Sequence, residues 1–284
     1  EINYEKLSYR HLKKLAYSNY FKAFISGSDQ IWSGSWFIKN PMWFLRFAPK
    51  NKRIAWAPSF GTDKLAEYNE STYGKYINDY KFLSVRETSG VEIVKDLINK
   101  SVTQVLDPTL LLDKKEWDNE LSTKLSLKER YICLFFLDRP NEIVIKYIKK
   151  IQEETQNKVY AFGYWYDNLK EIFQCEPIIG GPKEFLYIIK NANLICTDSF
   201  HGTAFSINFE KNFLVFKRNY NHSSDQSTRI ESILKKCELE SKFLSNLDFE
   251  NIDLSHPDFT VAKNILKIER KNSIEFLRKS IDAI

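Results

Sequence analysis

The stretch NANLICTDSFHGTAFS, residues 191–206, decides the fold class. Leu194, Ile195 and Cys196 form an apolar run that stops at Thr197, Asp198 and Ser199. The spacing then predicts a helix with His201 in its first turn. A buried strand that ends in polar residues and turns at once into a helix is the repeating unit of an open α/β sheet. Such sheets bind ligands at the carboxyl ends of their strands. The free N–H groups and positive dipole end of the helix favour an anion. Asp198 or Ser199 can cap it. Gly202 has no Cβ, so a ligand can approach the backbone there. His201 is the one side chain of the stretch that donates or accepts a proton near neutral pH.

The same rhythm extends in both directions. Upstream, residues 182–192 read as a helix with Phe185, Leu186, Ile188 and Ile189 inward, 158–162 as a strand and 141–156 as a helix. Residues 131–137, YICLFFL, form the continuous apolar run of a strand buried on both faces. Downstream come a strand at 213–216 and a helix at 228–237. The first half repeats the pattern. Strands at 21–25, 52–59, 82–86 and 103–106 end in Gly27-Ser28-Asp29-Gln30, Pro58-Ser59, Arg86-Glu87 and Asp107-Pro108-Thr109. Helices are expected at 4–20, 64–80 and 91–98. Strand, polar turn and helix in alternation argue for parallel, doubly wound sheets. The polar run 114–128 reads as a boundary. The expected organisation is two Rossmann-like domains, 1–122 and 123–255, with strand carboxyl ends facing a cleft between them. Residues 256–284 read as a long amphipathic helix that crosses back to the first domain, broken or kinked near Asn272.

Composition narrows the partners. The chain has 284 residues and a net charge of +5 with both signs interspersed. No dense basic block appears, which argues against nucleic acid. The mild basic excess suits an anionic small molecule or an anionic membrane surface. The four cysteines are widely spaced and form no CxxC pair, so neither a zinc site nor a disulfide framework is expected. Cys133 and Cys196 fall in apolar strands and fit a reducing compartment. No run of about 18 apolar residues predicts a membrane-spanning helix. No signal peptide is read. The sequence opens at Glu1 and its one methionine is Met42, so the natural start is expected to lie upstream. The aromatic cluster Trp32, Trp36, Phe37, Trp43, Phe44 and Phe47 reads first as core and second as a platform for a sugar or base.

The series GSDQIW (27–32), APSFG (57–61), SVRETSG (84–90), DPTLLL (107–112), GPKEFLYIIKNANLICTDSFHGTAFSI (181–207) and TRIESIL (228–234) resembles the polysaccharide pyruvyl transferase family over nearly the whole chain. The resemblance implies a GT-B-like fold and transfer of the enolpyruvyl unit of phosphoenolpyruvate to a sugar of a surface polysaccharide or its precursor, as a pyruvate ketal. It implies a lipid-linked or nucleotide-linked acceptor, no cofactor and no metal. It also implies a bacterial, cytoplasmic enzyme, free or at the inner face of the cytoplasmic membrane. Family members usually begin with a further strand and a glycine-bearing loop, which this sequence lacks.

The chemistry implied has its own demands. A donor carrying a carboxylate and a phosphate needs fixed cations, and arginine suits both. Arg86 at a strand end and Arg229 at a helix start are the first candidates, with Arg218 third; each is otherwise a surface charge. Protonation of the enol ether at its methylene carbon needs a general acid, for which His201 is the candidate. The alternatives for His201 are a contact to the donor phosphate or a structural cap. Asp29 is the candidate base for the acceptor hydroxyl, or else a turn cap. Ser28, Gln30, Ser199, Gly202 and Thr203 complete the candidate substrate-binding set. Asp107 and Asp198 read as loop holders, and residues 219–228 as a polar lid containing His222. The competing readings are a GT-B glycosyltransferase that uses a nucleotide sugar, and a catalytically silent binding member.

Overall fold

A computed structural model describes residues 8–18, 20–33, 40–121, 124–163, 167–218 and 227–284. The chain divides into two compact units, residues 1–111 with 268–284, and residues 112–267. The division thus falls ahead of the polar run 114–128. That run opens with a helix because Asp113 caps the backbone of Lys115 and Glu116 while Glu116 accepts from Asp113 N, a capping box.

The first unit contains α1 (Tyr9–Tyr17), β1 (Phe24–Ser26), β2 (Arg53–Ala55), α2 (Glu67–Ile77), β3 (Phe82–Val85), α3 (Thr88–Ile98) and β4 (Thr103–Gln104). Its strands form one sheet in the order β1-β2-β3-β4, with parallel pairing throughout. The strands are shorter than the apolar runs suggest, because the polar residues after each one turn away as connecting loops. The core is strongly aromatic. Trp32 is fully buried and stacks on Phe44 with centroids 5.4 Å apart and planes 9° apart. Phe47, Phe60, Tyr73 and Tyr80 belong to the same cluster. Trp32, Phe44 and Phe47 are therefore core residues; Trp36 and Phe37 lie outside the described residues.

The second unit contains α4 (Lys114–Asn119), β5 (Tyr131–Phe135), α5 (Glu142–Thr155), β6 (Lys158–Phe162), α6 (Asp167–Phe173), β7 (Glu176–Ile178), α7 (Pro182–Asn191), β8 (Leu194–Thr197), α8 (Phe200–Asn208), β9 (Phe213–Phe216), α9 (Thr228–Lys236) and β10 (Phe243–Leu244). The sheet order is β10-β9-β8-β5-β6-β7, with parallel pairing. Numbered from β5, this is the order of dinucleotide-binding folds, which reverses between β5 and β8. Ile132 and Leu134 of β5 pack with Val144, Tyr147, Ile148 and Ile151 of α5. On the other face Tyr131 donates to Ile188 O at 2.9 Å, and Phe135 packs on Phe185 at 4.7 Å. Burial on both faces explains the unbroken apolar run of β5.

The last helix, α10 (Thr260–Asp282), starts in the second unit and ends in the first. It runs unbroken through Asn272, contrary to the expected kink. Of its buried residues Ala262, Leu266, Ser273 and Ser280, the last three recur every seventh position, and Asn272 is exposed. A weak helix former costs little there. Within the first unit, Ser273 Oγ accepts from Leu106 N at 2.9 Å, and Phe276 and Leu277 pack against Trp56 and Val105. Truncating the half-buried Phe276 to alanine is expected to cost about 2 kcal/mol, below the usual range for fully buried phenylalanine. Calorimetry should register this as a lower melting temperature for the first unit, with the second unit unchanged.

Candidate functional site

Two polar clusters form at strand carboxyl ends, one in each unit. In the second unit the cluster lies at the β5/β8 switch point. Thr197 ends β8, and its Oγ1 donates to Phe135 O of β5 at 2.6 Å. The same oxygen accepts from Ser199 N at 3.0 Å. Ser199 is the N-cap of α8 and accepts from Gly202 N at 3.4 Å. A Cβ on Gly202 would sit 2.4 Å from Thr197 Oγ1 and 3.1 Å from Phe135 Cδ1. Gly202 is therefore required by the packing of α8 on the strand end.

Eight of the nine residues of α8 are buried; His201 alone keeps partial exposure. Its ring meets Phe200 edge-on, with centroids 5.4 Å apart. The helix so fixed presents a histidine in its first turn, beside the N–H groups and positive dipole end. Thr203 is fully buried, and its hydroxyl donates to Ser199 O at 3.0 Å. Ser199 is 1% exposed. These two hydroxyls are engaged at the helix start.

Asp198 accepts from Leu137 N at 2.7 Å and Asp138 N at 3.0 Å, and pairs with Arg218 Nε at 3.1 Å. It ties together the ends of β5, β8 and β9. Burial raises the pKa of its carboxyl, against the opposing pull of Arg218 and the two backbone donors. Arg229 lies buried in the first turn of α9, which packs on α8. Residues 219–226 of the expected lid, with His222, fall outside the described residues.

In the first unit the four parallel strands bring Ser28 and Asp29, Arg86, and Asp107 together from three separate loops. Arg86 Nε pairs with Glu87 Oε1 at 2.7 Å, Nη1 with Asp107 Oδ2 at 2.7 Å and Nη2 with Asp29 Oδ1 at 3.2 Å. Its side chain is 3% exposed. Burial pulls the guanidinium pKa down, but the carboxylates of Glu87, Asp107 and Asp29 outweigh it and the net shift is upward. Asp107 also accepts from Thr109 N and Oγ1 and lies 2.9 Å from Ser28 Oγ. It holds its loop and the arginine together.

Asp29 is the exposed member, with 54% of its side chain open and a backbone φ of +52°. Asparagine and aspartate tolerate this left-handed region better than most residues. Gln30 packs beside Gly61, whose φ is +72°. Three carboxylates around one buried guanidinium make this a carboxylate-rich cluster. Arg86 thus fits the orientation of Asp29 better than the clamping of an anion. Glu87 was not among the sequence candidates; its signal was its position directly after a strand-ending arginine. Among the described residues no group of histidine, cysteine and carboxylate side chains could hold a metal ion. Nor is any helix of the described residues long and apolar enough to cross a membrane.

Two substitutions test these assignments. Gly202→Ala is expected to destabilise the second unit by about 1–3 kcal/mol through overpacking. A thermal melt should show a drop of several degrees. Arg86→Met leaves buried carboxylates unpaired and is expected to cost about 3–5 kcal/mol. A variant that keeps its full melting temperature would reassign Arg86 from structure to ligand binding.

The polysaccharide pyruvyl transferase family matches residues 2–220. No curated protein matches at significance. Among solved structures, a Thermobaculum terrenum O-GlcNAc transferase is similar at TM-score 0.46 and 11% identity, over 96% of this chain and 52% of that one. This chain therefore spans about half the length of that protein. A UDP-GlcNAc 2-epimerase from Methanocaldococcus jannaschii is similar at TM-score 0.48 and 12% identity, over 92% of this chain and 80% of that one. Another, from Rickettsia bellii, is similar at TM-score 0.47 and 9% identity, over 96% and 78% respectively. With the family matched over residues 2–220, well over half of the chain, the chain belongs to the polysaccharide pyruvyl transferase family.

Proposed function

We propose that this protein transfers the enolpyruvyl unit of phosphoenolpyruvate to a sugar and closes it as a pyruvate ketal. The observation that carries the reading is His201. It is the one partly exposed residue of a helix whose first turn sits at the β5/β8 switch point. A proton donor beside a helix N-terminus suits a donor substrate that is anionic and must be protonated on carbon.

In this mechanism His201 gives a proton to the methylene carbon of the donor, which becomes a methyl group. The adjacent carbon accepts the first sugar hydroxyl, whose proton passes to the departing phosphate. The C–O bond to phosphate breaks and phosphate leaves. The second hydroxyl then adds to the same carbon, and its proton returns to the histidine. One sugar proton ends on the methyl carbon and the other leaves with phosphate. The N-terminus of α8 holds one anionic group of the donor, and Arg229 of α9 is its candidate cation. No cofactor or metal enters the scheme. The acceptor is a lipid-linked or nucleotide-linked sugar of a surface polysaccharide or its precursor, handled at the cytoplasmic face of the membrane.

Incubation with phosphoenolpyruvate and candidate sugar acceptors should release phosphate only when an acceptor is present. Turnover of a nucleotide sugar with no such release would sink the proposal in favour of glycosyl transfer. His201→Ala should lower kcat by about 10²–10⁴-fold, the usual contribution of a general acid, with the fold retained by circular dichroism. Unchanged kcat would remove His201 from the chemistry.

A further inference from the structure

Between the ends of β5 and β9 and the first turn of α5 lies a cavity of about 10 Å³, room for roughly one water-sized atom. Phe136, Asp198, Phe216 and Arg218 line it, with Arg139 and Lys217 exposed beside them. Arg218 is the unusual member. Its side chain is 9% exposed. Nε donates to Asp198 O at 3.2 Å and pairs with the Asp198 carboxylate at 3.1 Å. Nη2 is fully buried and has no hydrogen-bond partner among the described residues. A buried guanidinium N–H left without an acceptor is costly and rare.

Asp198 does not remove the need for that acceptor. Its two carboxylate oxygens already take the N–H groups of Leu137 and Asp138. The opposite wall is the start of α5, a helix of 14 residues whose N-cap, Asn141, accepts from Val144 N at 2.9 Å. The first turn of a helix of this length presents further N–H groups and a positive dipole end. Arg139, Lys217 and Arg218 outnumber Asp138 and Asp198 around the cavity.

We propose that this cavity is an oxyanion site that takes one oxygen of a phosphate or a carboxylate. The oxygen accepts from Arg218 Nη2 and faces the α5 N-terminus. The rest of the anion stays at the mouth, beside Arg139 and Lys217. The site is defined by Arg218 and the α5 N-terminus, does not include His201, and needs no assumption about the donor. A protein inactive toward phosphoenolpyruvate would still bind an anion here, so the two readings fail independently.

The test is calorimetric titration of the whole chain with orthophosphate, and separately with pyruvate. Wild type should bind at least one of them, and the one that binds names the group. Arg218→Met should weaken the Kd by about tenfold or more, as expected for loss of a charge-assisted hydrogen bond, and Arg218→Lys should lose less. If Arg218→Met fails to fold, the exposed Arg139→Ala should still raise the Kd several-fold. Absence of binding in wild type would mean that the cavity holds water only. That result would overturn the proposal, as would wild-type affinity in Arg218→Met or, where that variant does not fold, in Arg139→Ala.

Discussion

One hydroxyl holds the second unit's site in place. Thr197 Oγ1 donates across the sheet to β5, accepts from the residue that caps α8, and fills the space where a side chain at Gly202 would be. It joins the two strands between which the sheet order reverses to the helix that starts there. The position of His201 follows from this bridge. With every other residue of α8 buried, the helix has little freedom to rotate, and its histidine is left facing outward. A strand end, a cap and a glycine thus act as one unit, and the chemistry proposed for the histidine inherits their rigidity.

The first unit solves a different problem by related means. Its loops bring acidic residues into a buried region, and Arg86 neutralises them from the end of β3. An ion network of this kind is weak evidence for net stability, because desolvation offsets the attraction. Its effect is geometric. It holds three loops in register and leaves Asp29 as the member that reaches solvent. Arg218 and Asp198 repeat the motif at the other sheet, where one guanidinium nitrogen is left over.

Much of the architecture was legible because parallel sheets impose strong patterns. The run YICLFFL could only be a strand covered on both faces, and LICTDSFHG could only be a strand end meeting a helix start. The short strands β7 and β10 and the helices α4 and α6 carried weaker signals. Each is brief, and its placement depends on a neighbouring strand or a cap more than on its own periodicity. The kink expected at Asn272 reflected local propensity alone, and the seven-residue spacing of buried contacts overrode it.

Sequence by itself determined the alternation of elements, the family, and which loops carry histidine, arginine and carboxylate at strand ends. These are local properties, set by period, capping residues and order along the chain. Only the tertiary structure decided how each side chain is used. Arg86 meets Asp29 and Asp107, separated by 57 and 21 residues in sequence, because parallel strands bring their carboxyl ends together. Ser199, Gly202 and Thr203 look alike in sequence as small residues fit for a ligand, yet their contacts turn inward to Thr197 and the helix backbone. Whether a polar group faces a ligand or its own fold depends on the atoms within hydrogen-bond distance, and those come from strands distant in sequence.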